Sequence, residues 1–395
     1  FFAWVNSPPA PLAILAELLA SGMNPSVAGG DHAATYVEHT VLRWLKQLLS
    51  YPIDSGGLFT SGGSVANLIG LATMRYAKAT TNTRTEGLWS EAAPMVVYTS
   101  AQGHSCIEKA VELLGIGHAY LYKIPVDAEY RLDVEKLRTQ IDADRAQGLR
   151  PVCVAASAGT VNTGAIDPLN DIADLCAEED LWFHVDGAYG GVGILAEQTD
   201  DLYKGMERAD SLAIDPHKWM YVPIECGCVF VRDVQMMRDA FSLIPPYLRD
   251  DTEMPWFAEF GIQQTRSFRA LKVWMLLQQL GEQGYRNLIS RDISLAQYLQ
   301  RRIRNIPDFE LVAAGPLSIT CFRYAPPNCS NLDTLNRRLL EIVQQEGHTF
   351  FTSTELHGKL VLRVCIVNFR TTQADLDFLL EYLATVGAQV QEDVL

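Results

Sequence analysis

The sequence predicts an α/β fold: a largely parallel sheet in a large domain, followed by a smaller α+β unit at the C-terminal end. Short apolar runs at 95–99, 119–124, 152–156, 181–186 and 211–214 have the length and composition of buried strands. Amphipathic or charged helical stretches such as 133–147 and 169–179 separate them, the alternation expected when helices cover both faces of a parallel sheet. Beyond residue 304 the alternation restarts on shorter segments. At 395 residues the chain is too long for one simple core. The expected organisation is an N-terminal arm over 1–50, a large domain over 51–283 and a small domain over 284–395.

Composition narrows the function. Apolar residues make up 48% and charged residues 20%, as in ordinary globular proteins. The net charge of -15, without any basic run, argues against nucleic acid or an anionic membrane as partner. No apolar stretch has the length of a membrane span and no signal-like segment opens the chain, so a cytoplasmic location is expected. The abrupt apolar start Phe1-Phe2-Ala3-Trp4 reads as a strand with sequence missing upstream. Eight scattered cysteines, with Cys226-x-Cys228 the closest pair, read as reduced core thiols. Eight histidines without a His-Glu-x-x-His arrangement give little case for a metal.

In chain order, Asn6-Ser7-Pro8-Pro9 precedes an apolar helix over 10–20, read as a buried arm stopped at Gly22. A second helix carries Val37, Val41, Leu45 and Leu48 on one face. Ser61-Gly62-Gly63-Ser64 then runs into a helix with Val65, Leu68, Ile69 and Ala72 at helical spacing. Small residues and a helix N-terminus can cup a phosphate, although a capped helix without ligand has the same pattern. The strand at 95–99 is followed by Gly103-His104-Ser105 opening a helix. The strand at 152–156 ends in Ser157-Ala158-Gly159-Thr160, and the strand at 181–186 ends in Asp186. A long helix from about 269 to 304 is punctuated at Gly281 and Gly284. Strands at 317–322, 349–352 and 359–367 and helices at 332–345 and 373–383 complete the small domain.

The chemistry gathers at strand ends. His104, Thr160, Asp186 and Lys218 all fall at or just past the carboxyl ends of predicted strands, where open α/β sheets bind ligands. Lys218, in Asp215-Pro216-His217-Lys218-Trp219, follows the apolar run 211–214. A desolvated lysine with a lowered pKa can form a Schiff base with an aldehyde such as that of pyridoxal 5'-phosphate (PLP); a lysine snorkelling from a strand end fits the pentapeptide equally well. Asp186 needs a cationic or hydrogen-bonded partner, and a protonated pyridine nitrogen would serve, as would a neighbouring loop capped by the carboxylate. His104 reads as a cap of its own helix or as a ring lying over an aromatic ligand.

Taken together, Ser61-Gly62-Gly63-Ser64, Gly103-His104, His184-Val185-Asp186-Gly187-Ala188-Tyr189 and Asp215-Pro216-His217-Lys218-Trp219 resemble the PLP-dependent group II decarboxylases, the family of aromatic-L-amino-acid decarboxylase. The likeness runs from Phe1 through Ser267-Phe268-Arg269-Ala270-Leu271-Lys272-Val273-Trp274 into the C-terminal region. It implies the PLP-dependent transferase fold of type I, aspartate-aminotransferase-like, with a mostly parallel seven-stranded sheet. It also implies a homodimer with active sites at the subunit interface. Lys218 would hold the cofactor, Asp186 pair with its pyridinium, His104 stack on the ring and Ala188 support the other face. Gly63, Ser64 and His217 would contact the phosphate, and Thr160 the ring substituents. The activity implied is decarboxylation of an L-amino acid, with an aromatic one expected, to the amine and CO2.

Two departures bear on the reaction. The segment Asp250-Asp251-Thr252-Glu253-Met254-Pro255-Trp256-Phe257 stands where the family has its catalytic loop and is shorter. It places Phe257 where relatives carry a tyrosine that helps protonate the carbanion. Members with that exchange resemble aldehyde synthases, which couple decarboxylation to oxidative deamination; alternatively Phe257 only packs, and Tyr247 or another group is the acid. The family's additional N-terminal helices have no counterpart in this sequence, where only the arm helix over 10–20 is expected. Trp4, Val5, Asn6 and Ser7 fall where relatives place substrate-pocket residues, and Val27-Ala28-Gly29 supplies little bulk where relatives have an aromatic side chain. Arg363 is a candidate for the substrate carboxylate, and no paired arginines select a second one.

Overall fold

The computed structural model describes residues 1–243, 256–327 and 329–394. Helices Pro11–Met23 (α1) and Ala33–Leu48 (α2) lead into strand Gly56–Thr60 (β1) and helix Gly63–Ala77 (α3). The short turn Thr83–Glu86 (α4) precedes Met95–Ser100 (β2), Ser105–Leu113 (α5), Leu121–Ile124 (β3), Val134–Ala146 (α6), Arg150–Ser157 (β4), Leu169–Glu178 (α7) and Trp182–Asp186 (β5). Ser211–Ile214 (β6), Gly227–Val231 (β7) and Val234–Phe241 (α8) close this part. Seven strands form one sheet in the order β1-β7-β6-β5-β4-β2-β3. The neighbours from β3 to β6 run parallel, and β7 is antiparallel to both β6 and β1. Strands β5, β6 and β7 are buried along their whole length, which is why β5 and β6 read as continuous apolar runs.

The second unit begins with Ala270–Arg304 (α9), whose backbone leaves helical geometry at Gly281 (φ 63°, ψ -176°). Phe309–Ala314 (β8), Ile319–Tyr324 (β9), Leu332–Glu346 (α10), Thr352–Leu356 (β10), Lys359–Cys365 (β11) and Gln373–Val394 (α11) follow. Their four strands form an antiparallel sheet in the order β10-β11-β9-β8. Leu335, Leu339, Leu376, Leu380 and Leu383 fill the core beneath the helices.

Several expectations need correction. β1, β7 and β8 had no clear signature in the sequence, and the strand expected at 349–352 lies at 352–356. Phe1 to Trp4 is not a strand, yet it is bonded like one: Phe2 N donates to Phe350 O at 2.7 Å and Cys365 N to Phe2 O at 2.9 Å. Helix α1 continues past Gly22 to Met23, where Asn24 in the left-handed region ends it. Nor is α1 buried throughout. Ala13 and Ala16 lie against the protein, whereas Ile14, Leu15, Leu18 and Leu19 are exposed. Tyr247 and residues 250–255 lie outside the described residues.

The arm is fixed by a buried charge cluster. Arg266 donates from Nη2 to Glu38 Oε1 and to Phe59 O at 2.7 Å, and from Nη1 to Val27 O at 2.6 Å; Glu38 Oε1 also accepts from Phe59 N at 3.3 Å. One guanidinium thereby joins the arm, α2, β1 and the segment before α9. Both side chains are almost fully buried, so removing one strands the other's charge. Arg266→Met should destabilise the chain by about 3–5 kcal/mol in denaturant unfolding. Glu38→Leu combined with Arg266→Met should cost less than Arg266→Met alone.

Candidate active site

The carboxyl ends of β4, β5 and β6 open on a cavity of about 680 Å³, closed on one side by β10 and β11 and on another by Trp4, Val5 and Asn6. It brings together Gly63, Ser64, His104, Thr160, Asp186, Ala188, His217, Lys218, Arg363 and Trp4 from the sequence-derived set. Ser7 is adjacent, its hydroxyl donating to the Lys218 carbonyl.

Lys218 and Arg363 are the Lys and Arg side chains among the described lining residues. Lys218 Nζ lies 2.9 Å from Asp215 Oδ2, three residues back. The lowered pKa expected for Lys218 is not found. Burial works to lower it, but Asp215 and Asp186 together outweigh burial and raise it. Asp186, the last residue of β5, has Oδ1 bonded to Ala188 N at 3.1 Å and Oδ2 3.8 Å from Cys106 Sγ. The floor under Lys218 is rigid. Trp219 stacks on Tyr189 with ring centroids 5.4 Å apart and donates from Nε1 to Asp292 Oδ2 at 3.0 Å, which Tyr221 Oη reaches at 2.6 Å. Asp292 was not anticipated, although an acid amid Ile289, Ile293 and Ala296 on the apolar face of α9 was a readable signal.

The Gly/Ser turn is shaped for close approach. A Cβ on Gly63 would lie 2.6 Å from Asp215 Oδ2 and 3.0 Å from Ala188 Cβ, so only glycine fits. No side chain caps α3; Val65 N bonds back to Gly62 O at 3.0 Å, which leaves the Gly63 and Ser64 amides for a ligand at the cavity. His217 stands beside this turn, its Nδ1 2.9 Å from Cys226 O; burial lowers its pKa against the pull of Asp215. His104 does cap its own helix, with Nδ1 accepting from Cys106 N at 3.2 Å, and the same ring lines the cavity. Thr160 is tied to Ala165 N and Thr163 at the turn after β4.

Arg363 projects from β11, with Nε donating to Val161 O at 2.8 Å and Nη1 to Trp4 O at 3.3 Å. Its Nη2 is buried without a protein partner. Phe257 lies elsewhere. It is buried in the short turn Phe257–Phe260, with the Arg266 guanidinium 5.2 Å from its ring centre and His39 at 5.9 Å. Val27 and Gly29 serve packing as well: Val27 O holds Arg266, and the Trp256 indole covers Gly29.

This arrangement, a lysine between two carboxylates beside an anion cup at the ends of parallel strands, is that of a PLP enzyme. Residues 1–325 match the model of the pyridoxal-dependent decarboxylase conserved domain, and the chain belongs to that family. An aromatic-L-amino-acid decarboxylase of Bacillus atrophaeus is 37% identical over 99% of this chain and 81% of its own length. Among solved structures, Oryza sativa TDC with PLP and tryptamine superposes with a TM-score of 0.93 at 29% identity, covering 99% of this chain and 84% of that one. A Rhodiola rosea 4-hydroxyphenylacetaldehyde synthase gives 0.89 at 25% identity over 98% and 83%. The fold is therefore type I, the cofactor is PLP, and the enzyme is a PLP-dependent amino-acid carboxy-lyase.

The residues fit that cofactor. The Gly63 turn admits a phosphate, Asp186 would meet a ring nitrogen, and Lys218 would reach the aldehyde carbon. Bound there, PLP supplies an electron sink for the charge left when CO2 departs. Lys218 must shed a proton to react, and Asp215 Oδ2 at 2.9 Å is placed to take it. Asp186 would pair with a proton on the ring nitrogen. His104 would limit tilting of the ring, and Nη2 of Arg363 would orient a carboxylate.

Burial raises Asp292 from 3.8 to about 6. A raised carboxyl pKa means that the fold loses stability as pH rises through 3.8 to about 6, by on the order of 3 kcal/mol in all. Asp292→Asn keeps an acceptor for Trp219 and Tyr221 without the charge. Its Tm relative to the parent should therefore rise between pH 4 and pH 8; a constant difference would show that Asp292 does not titrate in this window.

Proposed function

We infer that the chain decarboxylates an aromatic L-amino acid to the corresponding amine and CO2, working as a homodimer in the cytoplasm. The observation that carries the reaction is one cavity holding Lys218, Asp186 and the spare N–H of Arg363, a site for an amine and a carboxylate at once. Arg363 is the one arginine among the described lining residues, which suits a substrate with a single carboxylate. The aromatic side chain is supported by the Bacillus relative's name, by the tryptamine in the Oryza structure and by Trp4 at the cavity wall. The dimer is supported by the exposed Ile14, Leu15, Leu18 and Leu19 of α1, a surface apolar enough to need cover. Eight cysteines without a disulfide suit a reducing compartment.

The aldehyde-synthase reading draws on Phe257 and on the Rhodiola structure. Burial of Phe257 against Arg266, at 1% exposure, ranks it second. Incubating the holoenzyme with Trp, Tyr, Phe, His and Glu while measuring CO2, amine, aldehyde and peroxide tests both. Amine equal to CO2 with an aromatic substrate is expected, and peroxide equal to CO2 would overturn the amine product. Phe257→Tyr should leave the product ratio unchanged and lower stability by about 1–3 kcal/mol, since its hydroxyl would be forced into packed space. Leu15→Asp with Leu18→Asp should shift the dimer to monomer in sedimentation at micromolar protein; an unchanged dimer would place the interface elsewhere.

A further inference from the structure

Behind Asp186 runs a continuous chain of buried polar side chains drawn from β5, β6, α3 and α5. Trp182 Nε1 donates to Ser211 Oγ at 2.8 Å, and Ser211 Oγ lies 2.7 Å from His184 Nδ1. His184 Nε2 lies 2.7 Å from Asn67 Oδ1, and Asn67 Nδ2 donates to Cys106 Sγ at 3.3 Å. Cys106 Sγ is in turn 3.8 Å from Asp186 Oδ2. Asn67, His184 and Ser211 are fully buried. Room is kept for the histidine by Gly70, where a Cβ would come within 2.9 Å of His184 Cε1.

Donor chemistry gives this chain a direction. An indole N–H can only donate, so Ser211 accepts from Trp182 and has its own proton free for His184 Nδ1. Burial lowers His184 to about 4, so the ring is neutral. With Nδ1 accepting, Nε2 carries the proton and gives it to Asn67 Oδ1. The amide then turns its NH2 to the Cys106 sulfur, and the single thiol proton is left for the carboxylate. Apolar side chains would fill this part of the core at less cost, so a fully paired polar chain here calls for a use.

We propose that Cys106 is a positioning residue for Asp186, its thiol proton held on Oδ2 while the Ala188 amide holds Oδ1, so that the carboxylate plane is fixed towards the ring nitrogen of the cofactor. This rests on Asp186 being that nitrogen's partner. The remaining residues of the chain act through Cys106 by fixing which way its proton points.

Cofactor binding to the apoenzyme tests the assignment, using PLP and its 1-deaza analogue, which has carbon in place of the ring nitrogen. Cys106→Val removes the donor at similar volume, Cys106→Ala removes it without added bulk, and Cys106→Ser restores it. Losing the donor should weaken PLP binding about tenfold, the scale of one hydrogen bond to a charged group. It should also shift the pH at which the bound cofactor's absorbance titrates. Cys106→Ser should recover both values, and the deaza analogue should bind parent and variants alike. Unchanged PLP affinity and titration in Cys106→Val and Cys106→Ala would overturn the proposal, as would an equal loss for both cofactors, which would mean packing alone. Asp186→Asn separates the two levels. If it leaves PLP binding intact, the role of Asp186 itself fails. If it weakens PLP binding and adding Cys106→Ala costs a further tenfold, Cys106 acts elsewhere. The proposal requires no added cost.

Discussion

A buried ammonium between two carboxylates is the interaction on which the rest of the cavity depends. Burial works against the Lys218 cation, and Asp215 and Asp186 together outweigh it. The three come from the ends of two neighbouring parallel strands and the turn that follows, so the sheet itself sets their spacing. Asp186, Asp215 and Lys218 would meet the charges of a bound cofactor with charges of their own.

The surroundings hold this cluster in place. Trp219, adjacent to Lys218, is immobilised by Tyr189 on its face and by Asp292 at its edge. The amine can then change partners while the backbone below it stays still. On the other side, Arg266 and Glu38 bind the arm, α2 and β1 into one block, against which Phe257 packs.

The fold was legible wherever side-chain periodicity matched burial. β4, β5 and β6 are buried on both faces, and their runs of Val, Ala and Phe could be read as strands directly. β1, with two glycines in Gly56–Thr60, and β8, half exposed, carry no such pattern. β7, Gly227–Val231, is buried throughout, but its opening glycine and Cys228 do not mark a strand in sequence. In the site, Lys218, Asp186 and His104 stood out because reactive or polar types at strand ends are costly without a purpose. Asp215 and Cys106 did not, since their roles arise from contacts across the turn after β6 and between β5 and α5. Spacing along the chain says nothing of such distances. For Phe257, alignment to relatives suggested chemistry, whereas burial beside a guanidinium gives it a packing role.

The first ten residues touch both the small antiparallel unit and the turn after β6 that carries Lys218. Phe2 is hydrogen-bonded to Phe350 and Cys365 in the small antiparallel unit, Ser7 holds the carbonyl of Lys218, and Ala10 N bonds Tyr221 O at 2.8 Å. They therefore work as a strap between the two sheets, setting how far apart the walls stand. Loosening these bonds would remove the gauge of the cleft, so the reach for bulky side chains depends on a segment that contributes no strand.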